Sequence, residues 1–307
     1  MKLLYPQVGL ERLCRLFGKS RQAFYDHSWR KSNDQLQEHL IVDMVKSVRL
    51  VLPRVGTVKL LLLLESKFKD HRISIGRDGF FDLLRRHNLL VKNKRKYVRT
   101  TMSNHLYKKW PDLVKGLSVT SANTLWVSDI TYLTTEHGFV YLSLITDHYS
   151  HKIVGYHLSQ NLKAQGSLIA LNKAIASMPA NATVIHHSDR GIQYCCDLYV
   201  NRLLEKNISI SMTQSGSPYD NAVAERANGI LKSELLLNNC FSSYREAVLA
   251  VHTAIDAYNR IRPHMSINNL TPQNAHQLNI PLIKKWKPKN YCKAKSVSLV
   301  TFVKQNQ

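Results

Sequence analysis

The sequence predicts an α/β protein in which a mixed five-stranded sheet with flanking helices follows an all-helical region. Three β-rich stretches run in succession over residues 124–159, and helical and strand patterns then alternate as far as residue 258. Residues 8–90, in contrast, carry helical patterns. A series of neighbouring strands followed by alternating helices and strands is typical of a mixed sheet covered by helices.

The helical region is predicted to contain two units that are similar to helix-turn-helix motifs. Residues 1–32 hold two short amphipathic patterns on either side of the break GKS, and Ser20 is a suitable N-cap for the second. Residues 33–100 hold three further helical patterns, of which the last ends with Arg85 and Arg86. Such helix pairs occur in DNA-binding proteins but also in plain helical hairpins, so both interpretations stay open.

The sheet region begins at residue 123, where the apolar pattern changes to alternation. Its elements are predicted, in order, as strands 124–135, 138–147 and 152–159, helix 164–177, strand 182–189, helix 196–206, strand 208–213, and helices 222–237 and 244–258. This order matches the ribonuclease-H-like architecture. We therefore predict a core domain over 123–280, preceded by a basic linker over 101–122 and followed by a basic tail over 281–307.

The chain is strongly basic, with 43 Lys and Arg residues against 21 Asp and Glu and a net charge of +22. Ten of the cations lie between Arg85 and Lys115, where Asp112 is the one acid, and nine follow Asp256, after which no acid occurs. Basic clusters on either side of a core suit an enzyme that holds DNA phosphates. A basic surface that serves solubility alone is the plainer interpretation.

Composition excludes several other classes of protein. An apolar content of 44% is too high for a disordered chain. The five cysteines are odd in number and form no CxxC pair, so neither a disulfide framework nor a zinc site is predicted. The sequence begins without the long apolar segment of a signal peptide, and the leucine run 60–64 is too short to span a membrane. We expect no membrane partner.

Three acidic residues stand at positions where the carboxylates of a metal site are expected. Asp129 lies in the strand WVSDITY, and its apolar neighbours indicate a crevice-facing position on a central strand. Asp189 ends the strand VIHHSD, at the edge of an α/β sheet where ligands bind. Glu225 lies in the first helical turn after Asn221, which is a good N-cap.

Each acid also has a plain structural interpretation. Asp129 could simply be a residue on an edge strand, and Asp189 could be a turn residue in SDRG. Glu225 could be an acid that the positive end of the helix dipole favours at a helix N-terminus. Lys232 lies seven residues after Glu225 and therefore on the same helical face, which makes it a candidate site residue. The alternative is that Lys232 is a solvated surface lysine. The set is more specific than any member, because three carboxylates held close together repel one another.

The predicted chemistry of these acids is that of a divalent metal site. Carboxylates are ligands that Mg²⁺ or Mn²⁺ prefers, so we predict Mg²⁺ (or Mn²⁺), as two ions, on Asp129, Asp189 and Glu225. Two such ions about 3.5–4 Å apart clamp a phosphodiester, and the attacking group is water or a DNA 3′-hydroxyl. The same site can therefore cut a strand and join it to another. His186 or His187 is a further ligand candidate, with packing as the alternative.

Several stretches of the chain resemble successive motifs of one known family. They are VSDITY, GFVYLSLITDHYS, KIVGY, HHSDRGIQY, SPYDNAVAERANGILKSE and YNRIRPHMSINNLTP, in the family's order, after a segment, IGRDGFFDLLRRHNLLVKNKRKYVRTT, that is similar to its helix-turn-helix and linker. Over nearly its whole length the chain is similar to OrfB-type transposases of the third insertion-sequence family, which have an integrase catalytic core. The resemblance implies a DDE triad of Asp129, Asp189 and Glu225, and a DNA contact by Lys232 near the cut.

The resemblance also implies partners and a location. It implies double-stranded DNA, as the element ends and the target, a homo-oligomer on that DNA, and an upstream-frame protein as a partner or fusion. A bacterial, cytoplasmic and nucleoid-associated protein is expected. Basic residues at the end of the helical region and after it are expected to follow DNA phosphates. These residues are Arg85, Arg86, Lys92, Lys94, Arg95, Lys96 and Arg99.

The chain departs from this family at two places. His151 stands where Arg is often found, and Val58 and Lys59 stand where Arg-Lys is often found. Both departures are expected to weaken DNA contacts without touching the metal site. The leading hypothesis is a Mg²⁺-dependent DNA strand-transferase. A nuclease of the same fold that cuts without joining, and a DNA-binding regulator with an inert core, are the alternatives.

Overall fold

The protein is described by a computed structural model over residues 6–91, 107–214 and 222–278. The first of these ranges is helical, as predicted. Its helices are α1 (Leu10–Leu16), α2 (Arg21–Val51), α3 (Thr57–Asp70) and α4 (Arg77–Arg86). Gly56 and Gly76 are the N-cap residues of α3 and α4, so these helices begin where the sequence has its breaks.

Helix α2 differs from the prediction. The sequence pattern indicated a helix over 21–27 and another over 35–50, but the structure has one helix of 31 residues. Its N-cap is Ser20, as predicted, and the Ser20 side chain accepts a hydrogen bond from the Ala23 amide at 3.1 Å. The residues between the two patterns, SWRKSND, include no glycine or proline, so nothing ends the helix there. The predicted break was wrong, and the boundary expected between residues 32 and 33 falls inside α2.

The main sheet is formed by strands β1 (Leu125–Thr135), β2 (Gly138–Asp147), β3 (Ile153–Ser159), β4 (Ile185–Ser188) and β5 (Ser209–Met212). Their order is β3-β2-β1-β4-β5. Strand β2 is antiparallel to both β1 and β3, whereas β4 is parallel to both β1 and β5. The predicted mixed, ribonuclease-H-like sheet is confirmed. A two-residue strand, β6 (Cys240–Phe241), pairs with the end of β1 and was not predicted.

Helices cover both faces of this sheet. They are α5 (Ala164–Ala176), α6 (Ile192–Cys195), α7 (Asp197–Glu205), α8 (Ala222–Ser233), α9 (Tyr244–Arg260) and α10 (Pro272–Gln277). Helices α5 and α7 pack in a core with Trp126 on one face, and α8 and α9 pack in a core with Leu133 on the other. Because side chains alternate along a strand, Asp129 shares the face of Leu133 and α8. None of the helices in the described ranges is long and apolar enough to cross a membrane.

The helical region and the sheet region share one hydrophobic core. Leu52, Leu60 and Phe80 of the helical region belong to the same buried cluster as Leu142 and Ile255 of the sheet region. Full burial of a side chain of this size contributes about 1.5–3 kcal/mol relative to leaving it exposed. The two regions therefore stabilise each other.

An ion cluster around Glu234, just past the end of α8, also joins the two regions. The Glu234 carboxylate accepts hydrogen bonds from Arg262 Nη2 at 2.8 Å and Arg262 Nε at 2.9 Å, and Lys59 Nζ of α3 lies 3.4 Å away. The Glu234 carbonyl accepts a hydrogen bond from the Arg54 amide at 3.1 Å. The Arg262 side chain is only 2% exposed, so its charge depends on Glu234 for compensation.

Glu234→Gln is expected to destabilise the protein by about 2–4 kcal/mol, because the buried Arg262 guanidinium loses its counter-charge. Burial acts to raise the pKa of Glu234, but Arg262 and Lys59 hold the pKa below the ordinary value of 4.5. A lowered carboxyl pKa stabilises the folded state above that value, and the effect is lost as the pH falls. The difference in unfolding free energy between the native chain and the variant should shrink as the pH falls below about 4.5. Urea unfolding at a series of pH values measures this.

Glu65→Gln is the matched control for this prediction. Glu65 pairs with Lys69 at 2.9 Å on the exposed surface of α3. Such surface pairs contribute about 0–1 kcal/mol, so the control should lose little stability at any pH. Equal losses in the two variants would show that Glu234 has no special role in joining the regions.

Candidate active site

Asp129 lies in the middle of β1, on the sheet face that α8 covers. It is half-buried and lies opposite Leu144 of β2. Its Oδ2 atom accepts a hydrogen bond from Asn228 Nδ2 of α8 at 2.6 Å, and its Oδ1 atom accepts one from the Ile130 amide at 2.9 Å. The predicted position on a central strand is confirmed, because β1 pairs with β2 on one side and β4 on the other.

Asp189 directly follows β4, at the carboxyl end of the strand that lies parallel to β1. Its Oδ1 atom accepts a hydrogen bond from the Gly191 amide at 3.0 Å, which closes a short turn. A Cβ atom at position 191 would lie 2.9 Å from that oxygen, so the turn favours glycine. The interpretation of Asp189 as a turn residue is therefore correct, and the turn holds its carboxylate at the carboxyl end of β4.

Glu225 lies in the first turn of α8 and is exposed. Asn228 and Lys232 follow it at spacings of three and seven residues, which place the three side chains on one face of the helix. Asn228 contacts Asp129, so this face of α8 is turned towards β1. The expected N-cap, Asn221, lies outside the described residues.

The other two acids both act on the carboxylate of Asp129. Burial raises this pKa most, Asp189 and then Glu225 add to the effect, and the pKa reaches about 7. The hydrogen bonds from Asn228 and the Ile130 amide oppose the rise. Burial also raises the pKa of Glu225. The structure therefore brings the three predicted acids into one electrostatic environment.

Asp147, a fully buried aspartate of the same sheet, behaves in the opposite way. It accepts hydrogen bonds from the Ser150 amide at 2.8 Å, the Ser150 hydroxyl at 2.7 Å and the Asn123 amide at 2.8 Å. Burial acts to raise the pKa of Asp147, but His276 and Ser150 hold the pKa below its ordinary value. Asp147 is a satisfied structural carboxylate, whereas Asp129 keeps a repulsion that its hydrogen bonds do not offset.

The arrangement of the acids is not a preformed metal cage. Among the described residues, no three His, Cys, Asp or Glu side chains come together closely enough to hold an ion. The same part of the chain does contain buried polar atoms near the acids that have no hydrogen-bond partner there. These atoms are Asn228 Oδ1, Ser188 Oγ and Tyr194 Oη. Carboxylate oxygens beside unsatisfied polar atoms fit a site for a hydrated divalent cation.

Tyr194 belongs to this environment. Burial raises the pKa of its phenol well above the usual value, and Tyr199, Asp189 and Asp129 add to the rise. Its ring packs edge-to-face against Tyr199, with the centroids 5.4 Å apart. Tyr194 is therefore a neutral hydroxyl held near the two aspartates.

Lys232 lies over the ring of Tyr132 from β1, with Nζ 4.3 Å from the ring centroid. The Tyr132 ring packs edge-to-face against Phe139 of β2, with the centroids 5.1 Å apart. Burial lowers the pKa of Lys232, while the Asp129 carboxylate acts in the opposite direction. An aromatic platform thus holds this ammonium in the neighbourhood of Asp129.

The two histidines of β4 have packing roles, which was the alternative to a ligand role. His186 Nε2 is hydrogen-bonded to Ser128 Oγ at 2.6 Å and to Tyr199 Oη at 2.9 Å. Burial lowers the pKa of His186 to about 3, so the ring is neutral. His187 Nδ1 is hydrogen-bonded to Ser211 Oγ of β5 at 2.9 Å, and both residues are buried.

The residues expected to follow DNA phosphates are only partly described. Arg85 and Arg86 end α4 and are exposed. Arg85 pairs with Asp82, and Arg86 Nη2 lies 3.0 Å from Glu38 of α2. Exposed pairs of this kind are weak and do not prevent a phosphate contact, so the prediction stays open. Five of the expected residues lie outside the described ranges: Lys92, Lys94, Arg95, Lys96 and Arg99.

Sequence reasoning missed three residues of the site: Asn228, Tyr132 and Tyr194. Asn228 had a signal, since it lies three residues after Glu225 and therefore on the same helical face. Tyr132 and Tyr194 end the motifs VSDITY and HHSDRGIQY, but those motifs assign them no role. Their contacts with Lys232 and with the environment of the aspartates depend on how the elements pack, which the local sequence does not show.

The sequence matches known families and proteins over this core. Residues 119–218 match an Integrase core domain family, and residues 206–272 match a second family with the same description. The "uncharacterized 31 kDa protein" of insertion element IS600 from Shigella sonnei is 33% identical over 264 residues, which cover 85% of this chain and 96% of that protein. Transposase InsF for insertion sequence IS3A from Escherichia coli (strain K12) is 27% identical over 280 residues, which cover 89% of this chain and 96% of that protein.

The chain is also similar to a solved structure, that of the HTLV-2 integrase catalytic core domain in complex with magnesium. The match covers 51% of this chain and 97% of the HTLV-2 chain, with 18% identity and a TM-score of 0.41. The sheet order and the Integrase core domain matches define the class of the protein, a polynucleotidyl transferase of the transposase type. More particularly, the chain belongs to the IS3 family of insertion-sequence transposases. Its function is DNA transposition of the DDE type, as the motifs predicted.

Asn228→Ala is expected to lower the rate of strand transfer by about 10–100-fold, because side chains that orient functional carboxylates typically contribute that much. The variant loses the 2.6 Å hydrogen bond that fixes Asp129 to α8. The rate of joining of labelled element ends measures the effect. Asn172→Ala is the matched control, since it removes a 2.7 Å hydrogen bond from Arg202 Nε on the exposed surface. Equal rates for the two variants would contradict a positioning role for Asn228.

Proposed function

We propose that Asp129, Asp189 and Glu225 are the catalytic acids of this transposase and hold two divalent ions, Mg²⁺ or Mn²⁺. The observation that carries the proposal is the 2.6 Å contact between Asp129 and Asn228. It ties the helix that carries Glu225 to the strand that carries Asp129. Asp189 joins them from the end of β4, which is parallel to β1.

The donor set suits this chemistry. Carboxylate oxygens are the ligands that Mg²⁺ and Mn²⁺ prefer, and the repulsion that raises the pKa of Asp129 to about 7 is one that a cation relieves. When bound, two such ions activate the attacking oxygen and stabilise the leaving oxygen of a phosphodiester. The attacking group is water for cleavage and a DNA 3′-hydroxyl for joining.

The chain's other residues position the reactants. Asn228 holds the Asp129 carboxylate in one orientation. Lys232, placed over the Tyr132 ring at 4.3 Å, offers its ammonium to a DNA phosphate beside the acids. Because the attacking group is water or a DNA 3′-hydroxyl, the proposed reaction needs no covalent intermediate with the protein.

The proposed substrate is double-stranded DNA, as the two ends of an insertion sequence and a target. The net charge of +22 supports strong phosphate contacts, to which Arg85, Arg86 and the basic residues after α4 contribute. Because two ends are joined in one event, we propose that at least two copies of the chain act together. An upstream-frame protein as partner or fusion is supported by the family resemblance alone.

Asp129→Asn, Asp189→Asn and Glu225→Gln should each lower cleavage and joining on the order of 10³-fold, since a metal site contributes several kcal/mol to the transition state. DNA binding should be largely retained, because the basic residues are unchanged. Both reactions are measured on DNA with element ends and Mg²⁺, and binding is measured by gel shift. The matched controls, Asp197→Asn and Glu205→Gln, change exposed acids of α7 and should keep full activity.

The same assays separate the alternative functions. Cut but never joined DNA would support a hydrolytic nuclease, and binding without either reaction would support an inert regulator. Full activity in any one of the three acid variants would contradict the proposed site. A further readout is independent of activity: Mg²⁺ should raise the Tm of the native chain and should not raise that of Asp129→Asn.

A further inference from the structure

A cation-lined cavity of about 1130 Å³ lies on the other side of α8 from the three acids. Helix α8 contributes Arg226 and Ile230 to its wall, and at about 3.6 residues per turn these lie on a different face from Glu225. Lys59 of α3, residues 119–120 before β1, the turn after β2, and the end of α9 with the segment that follows it also line the cavity. The cavity is therefore built from both regions of the protein and is distinct from the proposed metal site.

The charge of this cavity has one sign. Its cationic and imidazole side chains are Lys59, Arg226, Arg262, His148, His151 and His264. Among the described residues that line it there is no Asp or Glu. Glu234 lies behind the wall and offsets one charge through its contacts with Arg262 and Lys59. Lys59, Arg226 and Arg262 carry three positive charges and Glu234 carries one negative charge, so a net charge of two positive units remains.

These groups are crowded and partly desolvated. Burial lowers the pKa of Lys59 most, and Arg262 lowers it further. Burial, Arg262 and His151 hold the pKa of His264 well below its usual range. The His264 ring stacks on His151 with the centroids 6.0 Å apart, and its Nε2 atom is buried without a hydrogen-bond partner in the described part of the chain. An anion would stabilise a cavity of this kind.

We propose, on the basis of the transposase function proposed above, that this cavity binds phosphodiester groups of a DNA strand. Phosphodiesters carry the negative charge that the wall lacks, and arginine and lysine are the residues that bind them. The volume of about 1130 Å³ is that of a site for a molecule of many atoms and far exceeds one inorganic phosphate. A stretch of several linked nucleotides fits a cavity of this volume better than a single phosphate ion does.

The position of the cavity gives this contact a role in the reaction. Arg226 directly follows Glu225 in α8, so the helix that carries a proposed catalytic acid also holds the strand. Lys59 extends the contact to the helical region. Lys59, which keeps the lysine of the Arg-Lys pair often found in the family, lines this cavity together with His151. The bound strand therefore orients DNA relative to the acids without touching them.

The test compares Arg226→Ala with Arg245→Ala in the full chain. Both are exposed arginines on helices, so the two variants remove the same charge. Binding to a double-stranded oligonucleotide is measured from about 50 to 200 mM salt. Loss of one phosphate contact lowers the magnitude of the slope of log K against log[salt] by about 0.9. Arg226→Ala should show this decrease, whereas Arg245→Ala and the charge-conserving Arg226→Lys should keep the native slope.

An unchanged slope in Arg226→Ala, or an equal decrease in both alanine variants, would overturn the proposal. Inorganic phosphate is the second probe. If it raises the Tm of the native chain but not that of Arg226→Ala, while the DNA slopes agree, the cavity holds a small anion and the proposal is also overturned. If the native chain binds DNA and the variants show the expected salt slopes, but no strand transfer occurs, the proposed function is contradicted and the cavity proposal is not. The failure of the cavity proposal and the failure of the proposed function are therefore distinguishable.

Discussion

The position of helix α8 against strand β1 is the constraint on which the site depends. Asn228 fixes the helix to Asp129 at 2.6 Å, and Glu234, just past its end, is bonded to a buried arginine at 2.8 Å. In the turn that precedes Asn228, the helix presents Glu225 on one face and Arg226 on another. A shift of the helix by one residue would rotate these faces by about 100° and break both contacts at once. The packing of α8 against β1 therefore sets the geometry of both the acids and the cationic cavity.

Charge is distributed so that the sites of opposite sign stay apart. The fold satisfies the structural Asp147 with hydrogen bonds, whereas burial and the neighbouring acids leave Asp129 with a pKa of about 7. An unfavourable buried charge of this kind is typical of a functional site rather than of packing. The hydrophobic core shared by the helical and sheet regions supplies the stability that such a site requires.

Local patterns predicted much of the fold. The strands of the main sheet, the strand position of Asp129 and the turn position of Asp189 followed from alternation and from turn composition. The break expected within α2 was wrong, because SWRKSND lacks a residue that ends a helix. Contacts between distant segments were invisible: Asn228 with Asp129, Glu234 with Lys59, and the walls of the cavity depend on how the elements pack. Sequence motifs supplied the family, and packing supplied the residues that position its acids.

The most direct test is a crystal structure of the full chain with Mn²⁺ and element-end DNA, in which the ions are located by anomalous scattering. Mn²⁺ peaks are expected between Asp129, Asp189 and Glu225, with carboxylate oxygens about 2 Å from the ions. The Asn228 contact with Asp129 should remain in place. Peaks elsewhere, or ions held by the two aspartates while Glu225 stays in solvent, would contradict the assignment of the three acids to one metal site.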